Sequence, residues 1–376
     1  MKNPNAIVSS IIRLDPPLKG SPAEMLRAQP DLSVELEGGR RVRLDPENPR
    51  SPGFIQVLDG LSKQHLPVYL EIEPNTSMIT RLLVAKFNRI VNVQPAGKDA
   101  LDVELEYSHA RHTLLRGQED FDELEKVLHE AMRNRDTIIL TEDDRHNIID
   151  VRFFKPGPDE PLPPLPEPKF PKPWPGPLDW LRKLFKWIWY WPWWPWWPWF
   201  RCVSGSRAQQ VFDAMSATSC NPLSVPVPCI PFLYPDDGCW GRAHEMCRLM
   251  IGMGVSPKKV WIQGRLYVNT RNNPDCYVRW GWHVAPTLCV HGPGLFQSNE
   301  MVIDPSLFIT PVTQSMWKSI QGDPAATLTP TPASYFRLNG TTDPTYVYTN
   351  SVLAQYRMEL LARALNLGPP PYANCP

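Results

Sequence analysis

The chain has 376 residues, which is enough for two domains, and its 39 basic and 39 acidic side chains give a formal net charge of zero. Balanced charge creates no overall field that attracts nucleic acid, so we expect no nucleic-acid partner. All eight cysteines lie at or beyond Cys202. The chemistry that depends on thiols is therefore expected in the C-terminal half.

Residues 1–155 have the pattern of a small β-rich α+β domain. Alternating or β-branched runs such as LPVYLEIE, ALDVELEY and NIIDVRFF predict short strands. Apolar residues at helical spacing predict one helix over residues 118–134. The histidines of this part include His109, His112, His129 and His146. Their spacing is not that of metal ligands, so we interpret them as surface residues and expect no metal site. The role of this domain, inhibitory or targeting, stays open.

Residues 156–203 are predicted to form a linker. Its first part is too rich in proline for helix or sheet, which favours an extended polyproline spacer. Ten of the fifteen tryptophans follow, between Trp174 and Trp199, and a short basic helix pattern precedes a WPWWPWWPW run. The run resembles tryptophan-rich cationic antimicrobial peptides, so we interpret residues 174–201 as a segment that binds anionic membrane surfaces. Packing between the domains and docking of a protein are the alternatives.

Residues 204–376 contain a candidate nucleophile, Cys239, in the sequence YPDDGCWGRAHEMCRLM. Asp236 and Asp237 are suitable N-caps for a helix that ends near Gly252, so Cys239 is expected at its N-terminus. The unpaired backbone N–H groups and the helix dipole at that position favour a thiolate. A structural cysteine is the alternative interpretation.

A candidate base and a candidate carboxylate follow in a predicted hairpin. His283 lies in the alternating run WGWHVAPTLCVH and Asp304 in the apolar run MVIDPSLF, on either side of the turn sequence HGPG. Both are equally distant from a midpoint near residues 293 and 294, so they should face each other across the strands. His244 is rejected because it falls about 140° round the helix from Cys239. Cys239, His283 and Asp304 are therefore the candidate triad.

The motifs GCWGRAHEM, WGWHVA and VIDPSLF, in this order, resemble those of the bacterial protein-glutaminases. The similarity covers about residues 209–317 and leaves the first 200 residues unmatched. It implies a papain- and transglutaminase-like catalytic domain that deamidates glutamine in proteins or peptides, with release of ammonia and without a cofactor. By position it makes Cys239 the nucleophile, His283 the general base and acid, and Asp304 the residue that orients the histidine.

Two kinds of alternative stay open at this point. The same residues could transfer the acyl group to an amine, as a transglutaminase does, or cut peptide bonds, as a cysteine protease does. The protein could also be a membrane-active toxin or an adhesive protein in which the tryptophan segment is the active part.

The compartment is left open by the sequence. The cysteine content suits an oxidising environment, with Cys220 and Cys229 as the expected disulfide and Cys247 as a buried thiol. However, the N-terminus contains only a short apolar run, broken by Arg13 and Asp15, which is not a secretory signal. A cytoplasmic or peripheral membrane location, or export without a cleaved signal, is therefore expected.

Overall fold

The computed structural model of the chain describes residues 5–29, 32–154, 202–292, 294 and 297–376, which form a mixed α/β fold. The predicted proline spacer and tryptophan segment lie almost wholly in residues 155–201, outside the described part. Within the described residues, no helix combines the length and apolar character needed to cross a bilayer.

The described residues before position 155 form two antiparallel sheets and three helices. The larger sheet has seven strands in the order β10-β9-β5-β4-β1-β2-β3, and the smaller has the order β6-β7-β8. The strands are β1 (Ala6–Asp15), β2 (Ser33–Leu36), β3 (Arg41–Arg43), β4 (Pro67–Ile72), β5 (Ile79–Asn88), β6 (Ile90–Pro95), β7 (Ala100–Leu105), β8 (Arg111–Leu115), β9 (Ile138–Glu142) and β10 (Ile148–Phe153). The helices are α1 (Pro22–Ala28), α2 (Ser51–Lys63) and α3 (Phe121–Asn134), and a 3₁₀ turn covers Glu37–Gly39.

The part of the chain after position 201 that the structure describes forms one five-stranded antiparallel sheet and four helices. The sheet order is β14-β13-β12-β11-β15. Its strands are β11 (Lys258–Asn269), β12 (Tyr277–His291), β13 (Ser298–Val302), β14 (Val312–Thr313) and β15 (Thr327–Pro332). The helices are α4 (Gly205–Ser216), α5 (Cys239–Gly252), α6 (Gln314–Ser319) and α7 (Val347–Leu367).

The two halves of the chain share one core. The largest buried apolar cluster contains residues of β1, β4 and α2 together with residues of α5 and α7. Helix α2 approaches α7 closely because it carries glycine at two positions, where a Cβ atom would collide with side chains of α7. Gly53 faces Leu365 and Gly60 faces Met358. The N-terminal half is therefore packed directly against the half that holds Cys239.

Several sequence predictions are confirmed and others are wrong. The helix over residues 118–134 is present as α3, and the strands around LPVYLEIE, ALDVELEY and NIIDVRFF are β4, β7 and β10. The TLTPTP stretch, whose prolines are typical of a loop, forms the edge strand β15, paired with β11. Proline is tolerated there because an edge strand has one side free of ladder hydrogen bonds. Helix α2 was not predicted, since a Pro-Gly start and an internal glycine weaken its helical signal.

Candidate active site

Cys239 is the first residue of helix α5, as expected, and it is buried, with 1% of its surface exposed. The predicted caps are wrong, because the N-cap is Gly238 at φ 79°, with no side-chain cap. A Cβ atom at Gly238 would collide with the Tyr356 ring, so glycine is required both by the positive φ angle and by the close approach of that ring. The two aspartates have other partners. Asp236 pairs with Arg363 at 2.7 Å, and Asp237 accepts the Gly238 N–H at 2.9 Å.

His283 and Asp304 are in contact, with 2.9 Å between His283 Nε2 and Asp304 Oδ2. The hairpin register differs from the prediction: Thr287 pairs with Val302, so the strands are symmetric about position 294.5 and Asp304 lies just beyond β13. Asp304 Oδ2 also accepts the Trp317 Nε1–H at 2.9 Å, a contact that the sequence did not indicate. This arrangement fixes the carboxylate from two sides, and its bond to Nε2 leaves His283 Nδ1 as the basic nitrogen.

The imidazole of His283 lies between two indole rings. Trp280 stacks on it with ring centres 4.4 Å apart, and Trp317 stacks with ring centres 5.5 Å apart. Burial by itself raises the pKa of Asp304. Its charge interaction with His283 and its hydrogen bonds to His283 and Trp317 outweigh burial, so the pKa lies below its ordinary value. Asp304 is therefore ionised at neutral pH and can orient the imidazole.

A residue of the N-terminal half fills the space next to Cys239. His109 Nδ1 lies 3.1 Å from Cys239 Sγ, and the His109 carbonyl accepts the Gly281 N–H at 2.9 Å. The next residue, Ala110, forms an antiparallel bridge with Trp280. The segment therefore adds to the edge of β12 in the way that an extended peptide adds to a sheet. With His109 in place, the candidate nucleophile is closed to solvent.

The interpretation of the N-terminal histidines as surface residues is wrong for three of the four. His109 is 1% exposed, His112 is fully buried, and the His146 side chain is 12% exposed. His146 bridges the halves, with Nδ1 2.8 Å from Glu142 Oε2 and Nε2 3.0 Å from Asp236 Oδ1. The partners that join the halves, Asp236 for His146 and Cys239 for His109, lie 90 and 130 positions away, so sequence spacing carried no signal of these contacts.

The expected thiolate at Cys239 is also corrected by the structure. Burial raises the pKa of the Cys239 thiol well above its usual range, because the covered site offers an anion little solvation. Burial likewise lowers the pKa of His109 well below its ordinary value, and the charge interaction with His283 lowers it further. The closed site thus contains a neutral thiol next to a neutral imidazole, and the helix dipole does not compensate for the loss of water.

The rejected candidate His244 lies elsewhere and is hydrogen-bonded to Lys259 Nζ at 2.9 Å. The cysteines form three disulfides, Cys202–Cys289, Cys220–Cys229 and Cys276–Cys375, of which the second was predicted. Cys239 and Cys247 are free and buried, as expected for Cys247.

A thiol at a helix N-terminus, close to an imidazole held by a carboxylate, can attack a carbonyl carbon and form a covalent acyl intermediate. Residues 208–321 match the sequence model of a family described as glutaminase. The C-terminal region of this chain is therefore similar in sequence to the glutaminase family, in agreement with the resemblance in its motifs.

Among solved structures, the chain is similar to a crystal structure of pro-protein-glutaminase at 19% identity, covering 77% of this chain and 97% of that one, with a TM-score of 0.48. It is also similar to the NMR structure of protein-glutaminase from Chryseobacterium proteolyticum at 27% identity, covering 40% and 84%, with a TM-score of 0.35. A crystal structure of protein-glutaminase matches at 26% identity, covering 47% and 98%, with a TM-score of 0.38. No curated protein matches the chain.

Proposed function

We propose that this protein deamidates glutamine side chains in proteins or peptides, with Cys239 as nucleophile, His283 as base and acid, and Asp304 as the orienting residue. The observation that carries the proposal is the 2.9 Å contact between His283 and Asp304 beside Cys239, inside the region that matches the glutaminase model. A papain- and transglutaminase-like catalytic core remains part of this proposal.

The proposed reaction begins when His283 Nδ1 takes the proton of the Cys239 thiol. The thiolate attacks the carboxamide carbon, and backbone N–H groups near Cys239 stabilise the oxyanion. The C–N bond breaks as the imidazolium donates its proton to the leaving ammonia, which leaves a thioester on Cys239. Water, deprotonated by His283, then hydrolyses the thioester to glutamate and free thiol. Asp304 holds the imidazole in the tautomer that each step requires.

The proposal includes an opening step. A glutamine side chain must reach Cys239, and His109 with its backbone bonds to β12 fills that space. We therefore expect residues 107–111 to leave the edge of β12 before turnover. Water then reaches the thiol, which returns its pKa toward the ordinary range and allows the thiolate to form.

The product of the reaction tests the proposal. The full chain, and the same chain after limited proteolysis that removes residues 1–154, are incubated with casein and a primary amine. We expect the proteolysed form to release ammonia with glutamate formation. Incorporation of the amine would favour a transglutaminase, new N-termini in casein would favour a protease, and none of the three would support the non-enzymatic alternative.

We also propose that residues 174–201 bind anionic bilayers at the interface, which would bring the enzyme close to membrane-associated substrates. The support is compositional: ten tryptophans lie beside Arg182, Lys183, Lys186 and Arg201. The test compares the intact protein with a variant lacking these residues in co-sedimentation with anionic vesicles. The proposal fails when the intact protein neither pellets with vesicles nor shows a blue shift in tryptophan emission.

A further inference from the structure

The closed site brings together three side chains that are metal ligands in other proteins. One nitrogen of His109, one nitrogen of His283 and the sulfur of Cys239 lie within 4.8 Å of one another, and all three residues are buried. We propose that this cluster binds one Zn²⁺ ion, which fastens the N-terminal half over the catalytic cysteine. This inference goes beyond glutamine deamidation and its test does not depend on it.

The donor set is the first argument for zinc. Thiolate and imidazole are the ligands that Zn²⁺ takes in tetrahedral sites, at about 2.3 Å from sulfur and about 2.0–2.1 Å from nitrogen. Such bonds place the donor atoms roughly 3.3–3.7 Å apart. The distance from Cys239 Sγ to His109 Nδ1 is 3.1 Å and no two of the three donor atoms are more than 4.8 Å apart, so binding requires side-chain shifts on the order of 1 Å. Zinc replaces the thiol proton, which is released to solvent.

The hydrogen bonds of the cluster are the second argument. His283 Nδ1 is buried and has no hydrogen-bond partner in the structure. A buried polar atom without a partner is costly, and a bound ion would use that capacity. The other ring nitrogen of His283, Nε2, donates its N–H to Asp304, which is the usual support of a metal-bound histidine.

The position of His109 is the third argument. Its backbone N–H donates to Asp237 Oδ1 at 3.2 Å, and its carbonyl accepts from Gly281, so the residue is held over Cys239 from both sides. Asp237 Oδ1 also lies 3.3 Å from His109 Nδ1, which adds to the contacts that hold the ring in place. The site thus takes ligands from both halves of the chain. Zinc bound there would coordinate the Cys239 sulfur and would hold residues 107–111 at the edge of β12.

Cobalt provides a test that requires no turnover. Metal-free full-length protein is titrated with Co²⁺, whose tetrahedral thiolate complexes give a sulfur-to-metal charge-transfer band and visible ligand-field bands. We expect both at one equivalent, and we expect Zn²⁺ to displace them. Cys239→Ser should lose the charge-transfer band, whereas the control Cys247→Ser, which alters the other buried free cysteine, should keep it.

A second pair of variants tests the contribution of the N-terminal half. His109→Ala should weaken Co²⁺ and Zn²⁺ binding on the order of 100-fold, at least as much as loss of a supporting partner around a metal site. The control His129→Ala should bind as wild type does. Far-UV circular dichroism confirms that each variant is folded.

Three results would overturn the inference. The first is no charge-transfer band in wild-type protein. The second is a band that persists in Cys239→Ser. The third is wild-type affinity in His109→Ala, because the ion would then not join the two halves. None of these results bears on ammonia release, so the glutaminase proposal is tested separately.

Discussion

The ion pair between Arg363 and Asp236 is predicted to be a main source of stability where the two halves meet. Arg363 Nη1 lies 2.7 Å from Asp236 Oδ2, and the two side chains are 4% and 0% exposed. Breaking a buried pair from one side costs about 3–5 kcal/mol, because the remaining charge stays buried without its partner. His146 still contacts Asp236 at 3.0 Å, so we expect Arg363→Met to lose about 3 kcal/mol, at the lower end of that range.

The assay is equilibrium unfolding in urea, with midpoint and slope measured for each variant. Arg248→Met is the matched control, since it removes the same group from a pair with Glu245 in which the arginine is 47% exposed. An exposed pair contributes about 0–1 kcal/mol, so the control should differ little from wild type. Equal losses in the two variants would refute the importance of the buried pair.

Three further predictions concern the site and the interface. The Glu142 and Asp236 carboxylates outweigh burial and raise the pKa of His146 from 6.5 to about 10. The protonated His146 therefore contributes its full stabilisation of the fold below pH 6.5, and this contribution is lost as pH rises through about 10. His146→Gln should therefore flatten the loss of stability between pH 6.5 and 10 in urea unfolding, and an unchanged slope would contradict this. Trp317→Phe keeps a stacked ring but removes the N–H that Asp304 accepts, a bond worth about 1.5–3 kcal/mol, so kcat should fall about 10-fold or more; unchanged kcat would exclude the contact from catalysis. Asp304→Asn should lower kcat by roughly 10⁴-fold with a nearly unchanged unfolding midpoint, whereas a variant that unfolds yet keeps its specific activity would assign Asp304 a structural role.

The part of the site that could be predicted from the sequence is the part carried by local signals. Cys239 precedes an apolar helical pattern, and the alternating run around His283 with a turn before Asp304 indicates a hairpin. The predicted contact between His283 and Asp304 is present although the predicted strand register is wrong. Asp304 lies just past the end of β13, where its side chain still reaches the imidazole.

The remainder depends on contacts between distant segments. His109 is 130 positions from Cys239, and nothing in its local sequence indicates that it packs against a thiol. The sequence around Trp317 likewise does not indicate that its N–H donates to Asp304. The raised pKa of Cys239 follows from the N-terminal half that covers it, and the helix position alone predicted the opposite direction.

The central claim is that Cys239 is the nucleophile that deamidates glutamine, and ammonia release by cysteine variants tests it most directly. The chain contains a built-in control, since Cys247 is the second free cysteine and lies on the same helix, also buried. After removal of residues 1–154, wild-type protein and Cys247→Ala are expected to release ammonia from casein at similar rates, and Cys239→Ala at none. Ammonia release that survives Cys239→Ala, with correct folding confirmed by circular dichroism, would contradict the account.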